Sequence, residues 1–178
     1  MEDIRLTPPS YIVLGLLAQE DGVTPYDLKA TVAGGIGNLW SLQHTQLYAE
    51  TERLAKAGYL TETREDGGRR RKLYSITQAG RDALAAWLSA EPGDELPEVR
   101  DVGLLKVFFG ADPSPFAARL AAAHRVKLGE YEALEQELAD AVAEDAGLAG
   151  PLTALRAGLG HEREWVRYWS ELAGDTDA

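Results

Sequence analysis

Residues 41–80, SLQHTQLYAETERLAKAGYLTETREDGGRRRKLYSITQAG, constrain the fold more than any other stretch of the chain. They read in order as a polar helix, a short strand, a basic glycine turn, a second strand and the start of a new helix. Asp66-Gly67-Gly68 is a strong turn signal between two alternating runs, so the two strands are expected to pair as a hairpin. A polar helix followed by such a hairpin is the order of a winged helix-turn-helix. Its helix fits a DNA major groove and its hairpin grips the flanking phosphates. Charge within the stretch suits that use. Residues 69–72 are Arg-Arg-Arg-Lys, the densest positive cluster in a chain of formal net charge −11. A chain this acidic repels a polyanion as a whole, so contact falls to a local patch, and this patch sits at the expected hairpin tip.

At 178 residues and 45% hydrophobic, the chain can bury one good core or two small ones. It has no cysteine, which excludes disulfide scaffolds, thiolate metal sites and thiol catalysis. The longest apolar run, Tyr11–Ala18, falls far short of the ~20 residues needed to cross a bilayer. The opening Met-Glu-Asp-Ile-Arg is acidic, unlike a secretory signal, so a soluble cytoplasmic protein is expected. Charge divides the chain. Residues 1–91 carry 10 Lys/Arg against 12 Asp/Glu, a net of −2, and residues 92–178 carry 8 against 17, a net of −9. Ala90-Glu-Pro-Gly-Asp-Glu-Leu-Pro97 lies between them and has the prolines and glycine of a boundary. The expectation is a DNA-binding domain over 1–91 and a helical dimerisation domain over 92–178.

Within the first half, Pro8-Pro9-Ser10 reads as a stop followed by an N-cap, and Tyr11–Ala18 as a helix apolar nearly all round, hence central to the core. Thr24-Pro25-Tyr26-Asp27 starts a second helix. Thr24 caps it, Pro25 suits the first helical position, and Asp27 reaches back to the cap N–H. Gly34-Gly35 ends it. The third helix opens at Ser41 or His44 and runs to about Ala57, with Gly58 as its left-handed cap. Leu47, Thr51, Leu54 and Ala57 form its inner stripe, and Gln43, Thr45, Gln46 and Glu50 face outward. Gln43, His44, Thr45 and Gln46 are the side-chain types that hydrogen-bond base edges or phosphates at the entering end of such a helix, and the Tyr48 hydroxyl suits a phosphate. With Arg69, Arg70, Arg71 and Lys72, they form the expected DNA-contacting set. Thr77 caps a further helix with Ala83, Leu84, Trp87 and Leu88 on one face.

Several of these segments together resemble the PadR-like transcriptional regulators. They are Tyr11-Ile-Val-Leu-Gly-Leu-Leu, Pro25-Tyr-Asp-Leu, the Gln46-Leu-Tyr48 centre of helix three, Leu54-Ala-Lys-Ala-Gly58-Tyr-Leu60, and Arg71-Lys-Leu-Tyr74-Ser-Ile-Thr77-Gln-Ala-Gly80-Arg81. The resemblance spans about residues 10–90. Leu104-Leu-Lys106-Val-Phe108-Phe-Gly110 and the two long helices after it extend it to the longer members. The run His44-Thr-Gln-Leu-Tyr-Ala departs from the family pattern, which usually has Gly or Ser two residues before the central Leu-Tyr. That position faces the groove, so the departure bears on the operator sequence. The resemblance implies a transcriptional regulator, most readily a repressor. It also implies that some members bind small aromatic effectors between the domains or at the dimer interface. Trp40, Trp87, Trp165 and Trp169 are the candidate rings for such a ligand.

In the second half, Phe116, Leu120, Leu128, Tyr131, Leu134, Leu138 and Val142 keep near 3.5-residue spacing, and Ala146-Gly-Leu-Ala-Gly-Pro151 ends that helix. A last helix carries Leu152, Leu155, Leu159, Val166, Trp169 and Leu172 on one side. Stripes this long outrun a winged-helix core, so Leu152, Leu155, Leu159, Val166 and Trp169 are expected to bury against a second copy. An intramolecular antiparallel pair is the alternative. His161-Glu-Arg-Glu-Trp165 lacks the second histidine of a zinc-protease motif. No nucleophile–base set or phosphate loop stands out, so neither a metal, a cofactor nor an enzyme is expected. The resulting expectation is a mainly α chain with a small β-hairpin: an N-terminal winged helix-turn-helix plus a C-terminal helical domain. It binds double-stranded DNA as a homodimer on a palindromic operator and is released by a small aromatic ligand. A winged-helix protein–protein interaction module is the rival reading.

Overall fold

The computed structural model describes residues 4–38, 40–64, 71–94 and 96–175. The chain divides into two compact units, Met1–Asp94 and Glu95–Ala178. The first opens with α1 (Pro8–Gln19). Its cap is Thr7 rather than Ser10, because proline at the first helical position is already preset for the helix and starts it rather than stopping it. Ser10 sits in the first turn, where its hydroxyl accepts the Thr7 N–H at 2.8 Å. Val13, Leu14 and Leu17 put this helix at the centre of the core.

The second helix, α2 (Pro25–Gly34), carries the expected capping box. The Thr24 hydroxyl accepts the Asp27 N–H at 3.2 Å, and the Asp27 carboxylate accepts the Thr24 N–H and hydroxyl at 3.2 and 2.6 Å. Helix α3 (His44–Lys56) buries Leu47, Thr51 and Leu54 and ends at Gly58, whose φ of +86° is the left-handed cap. Strands β1 (Leu60–Arg64) and β2 (Lys72–Ile76) pair antiparallel, Leu60 opposite Ile76 and Arg64 opposite Lys72. The far edge of β2 bonds to the loop between α1 and α2, through Val23 N–H to Tyr74 O at 3.1 Å and Tyr74 N–H to Val23 O at 2.9 Å. The inner strand of the hairpin is thereby tied into the helical core.

Helix α4 (Gln78–Ser89) starts at Thr77, whose hydroxyl accepts the Gly80 N–H and donates to the Gly58 carbonyl at 2.8 Å. Gly80 is where α4 meets the end of β1's approach. A Cβ there would strike the Tyr59 carbonyl and sit 2.7 Å from Ile76 and 3.2 Å from Leu14. Of the face expected on α4, Ala83 and Leu84 are half-buried and Trp87 stacks on Tyr11 at 4.5 Å. Leu88 points to solvent.

The second unit contains α5 (Val102–Phe108), α6 (Ser114–Ala141) and α7 (Ala149–Leu172). Helix α7 begins earlier than the sequence suggests, because Pro151 falls in its first turn, where no N–H is required. Arg125 meets Ser170 while Arg156 meets Glu135, so α6 and α7 run antiparallel. This pairing corrects part of the expected dimer surface. Leu152, Leu159 and Trp169 are buried within the chain itself, and Leu155 and Val166 are half-buried. A short connection returns α7 along α6, and the small Ala117 and Ala121 make room for the Trp169 ring. Gly158 lies against the Tyr131 ring, at 3.1 Å from where its Cβ would stand. The large apolar side chains left exposed on α5 are Val102, Leu105 and Phe108, followed by Phe109. Among the described residues, no helix is long and apolar enough to cross a membrane.

Candidate nucleic-acid interface

The first turn of α3 opens to solvent as an uncapped helix N-terminus. Gln43 is its N-cap without a side-chain cap bond, and no acidic residue lies in that turn. The positive end of the helix dipole and its unpaired amides therefore meet no competing carboxylate there. Gln43, His44, Thr45 and Gln46 are all exposed, and Tyr48 retains 41% of its surface. These five are the residues expected to face a groove. The buried stripe at Leu47, Thr51 and Leu54 holds the helix to the core from behind.

Glu50 departs from its expected outward position. It is buried, and three donors meet its carboxylate: the Ser10 hydroxyl at 2.5 Å and two guanidinium nitrogens of Arg53 at 2.9 and 2.7 Å. Arg53 also donates to the Ser10 hydroxyl at 3.1 Å and to the Arg5 carbonyl at 3.3 Å. Burial pushes the Glu50 carboxyl up, but the hydrogen bonds from Arg53 and Ser10, with the Arg53 charge, outweigh it and hold the group below the ordinary 4.5. Residue-type patterning alone leaves Glu50 on the polar side. The signals that point to its role are its i,i+3 spacing to Arg53 and a serine in the first turn of the apolar α1.

The wing is described in part. Arg69 and Arg70, with the Asp66-Gly67-Gly68 turn, lie outside the described residues. Arg71 is exposed, and its charge is one of the influences that hold the Asp27 carboxyl below its ordinary range, after hydrogen bonds from Thr24 and against a small opposing effect of burial. Lys72 is engaged within the protein. Its ammonium lies 3.1 Å from Glu62 on β1 and 3.3 Å from Glu52 on α3. The hydrogen bond to Glu62, then that to Glu52, raises the Lys72 pKa. The Tyr74 hydroxyl donates to Glu62 from the other side at 3.1 Å. Lys72 thus joins the loop end of the hairpin to α3. Its charge is shared by two carboxylates, which weakens it as a phosphate contact.

The candidate ring residues are divided between the two units. Trp40 and Trp87 belong to the first unit and Trp165 and Trp169 to the second. Trp165 and Trp169 stack at 6.3 Å, and Trp165 donates to His161 at 2.6 Å. Leu104, His161, Glu164, Trp165 and Tyr168 line an open depression of about 300 Å³. His124 bonds Glu162 at 2.6 Å beside it. Among the described residues, no cluster of three metal-ligating side chains occurs.

Residues 13–86 match the family model of the transcriptional regulator PadR-like family. A stretch of 102 residues is 31% identical to the negative transcriptional regulator PadR of Bacillus subtilis (strain 168), covering 56% of this chain and 54% of that protein. The chain thus spans about half the length of that curated relative. The fold continues further than the sequence likeness. The structure of Bacillus subtilis PadR in complex with operator DNA superposes with a TM-score of 0.82 at 23% identity, covering 96% of this chain and 98% of that one. The same regulator in complex with p-coumaric acid gives 0.73 at 24% identity, covering 98% and 100%. The Vibrio cholerae virulence activator AphA gives 0.71 at 26% identity, covering 94% and 96%.

Proposed function

We propose that the protein is a sequence-specific DNA-binding repressor of the PadR-like kind, a reading supported by the match of residues 13–86 to the model of that family. The observation that carries the reading is the exposed first turn of α3. Gln43, His44, Thr45 and Gln46 stand free of acidic neighbours in that turn, on a helix linked to the basic hairpin through Lys72. Gln43 and Gln46 read base edges, Tyr48 meets a phosphate, and Arg69, Arg70 and Arg71 grip the flanking backbone. The chain acts as a homodimer whose two α3 helices lie about 34 Å apart on a palindromic operator. Residues 92–178, net −9, are too acidic to contribute to phosphate contact.

The structure of Bacillus subtilis PadR in complex with p-coumaric acid supports a small aromatic ligand for this chain; its role in this reading is to release DNA. Trp165 beside the depression is the ring best placed to contact it, with Trp169 stacked behind.

Genomic fragments selected by the intact chain test the reading. A shared palindromic motif is expected, bound with a log–log salt slope of about −0.9 per phosphate contacted. Recovery of unrelated fragments, or salt-insensitive binding, would instead favour a protein–protein module. Titrating p-coumarate into the DNA complex is expected to quench tryptophan fluorescence and release the DNA. A flat titration would remove this compound as the effector and leave the DNA assignment standing.

A further inference from the structure

The Glu50 cluster lies on the helix assigned to base reading, and its position around that helix is informative. At 100° per residue, Gln43 and Gln46 stand within about 20° and 40° of Glu50 around the axis of α3. One stripe thus begins exposed at Gln43 and Gln46 and becomes buried at Glu50, where the start of α1 crosses it. Nonpolar contacts at Leu47 and Leu54 hold α3 close but tolerate small rotations, because dispersion has little directionality. Hydrogen bonds with fixed geometry do not tolerate them. The Ser10 hydroxyl is fully used: it accepts from the Thr7 N–H and from Arg53, and it donates to Glu50. Arg53 carries the linkage on to the Arg5 carbonyl.

We propose that Glu50, with Ser10 and Arg53, is a positioning cluster that sets the rotation of α3, and so determines which base edges Gln43 and Gln46 reach without itself touching DNA. This rests on the DNA-reading assignment of α3. Glu50 is buried while Arg53 stays half-exposed, and an ion pair so placed is not needed for stability alone, since its attraction is offset by the cost of taking the carboxylate out of water. The cluster supplies direction instead.

The test uses the intact chain and a library randomised across the bound site. Glu50→Gln keeps the shape and removes the charge, and the double variant Glu50→Leu/Arg53→Met replaces the pair by apolar groups expected to preserve folding. Both are expected to lower the preference for the wild-type site over its single-base variants by about tenfold, with an unchanged salt slope. On a Gln43→Ala/Gln46→Ala background, Glu50→Gln is expected to add almost nothing, because the cluster acts through those side chains. A folded double variant with wild-type preference would overturn the proposal, whatever its melting temperature. A wild-type chain that shows no preference at all would instead remove the DNA-reading assignment, and the proposal with it.

Discussion

Two residues show how little room the first unit leaves for change. Gly80 occupies a place where any Cβ collides with the Tyr59 carbonyl, a backbone atom that cannot rotate away. Gly80→Ala is therefore expected to lower stability by about 1–3 kcal/mol or more, read as a drop in melting temperature. A melting temperature within error of wild type would show that α4 shifts freely. Glu50 gives a second expectation, set by pH. Its carboxyl titrates below 4.5 when folded, so the stability it contributes is complete above that unfolded value. The contribution is lost as the pH falls through the lower folded value. As the pH is lowered past 4.5, melting temperatures should accordingly fall more steeply for wild type than for Glu50→Gln. Parallel curves would mean that the group titrates alike in both states.

Local signals made most of the elements legible. Thr24-Pro25-Asp27, Gly58 and Thr77 act within a few residues, and each does in the structure what its sequence context implies. Long-range choices were not legible. Polar patterning placed Glu50 outside because it cannot register that α1 crosses α3 at that point, and it counted Lys72 with the arginines although Glu52 and Glu62 bracket it. The apolar stripe of α7 was visible, but the identity of its cover was not. Whether a helix packs on a partner or on its own neighbour depends on loop direction and on the small alanines of α6. The wing yields a prediction at this scale. Replacing Arg69, Arg70 and Arg71 by alanine should weaken binding to all DNA alike and flatten the salt slope, because phosphate contacts carry no base information. Lys72→Ala should change the slope much less, since its charge is already opposed by two carboxylates. An equal effect of the two sets would return Lys72 to the phosphate-contacting group.

Across the whole molecule, the intramolecular pairing of α6 and α7 changes how the proposed dimer is probed. Leu159 is buried in its own chain, so Leu159→Ala should cost about 2–5 kcal/mol of stability while light scattering still reports a dimer. Dissociation without loss of stability would restore it to the interface, and a monomeric wild type at micromolar concentration would remove the palindromic operator. The bond pair between Val23 and Tyr74 has a different reach, into the time course of synthesis. It closes a loop of about 50 residues, and loop closure of that length must be complete before the inner strand rewards it. On the ribosome, α1, α2 and α3 emerge before Tyr74 and Ile76 of β2 complete the core around Leu14, Leu17 and Leu54, whereas α6 and α7 close through a few residues as soon as the second leaves the tunnel. A pause in translation before Tyr74 would extend the interval in which the nascent DNA-binding unit offers bare hydrophobic surface to chaperones. A pause after Ser89 has left the tunnel would come once that unit has every element it needs to shut.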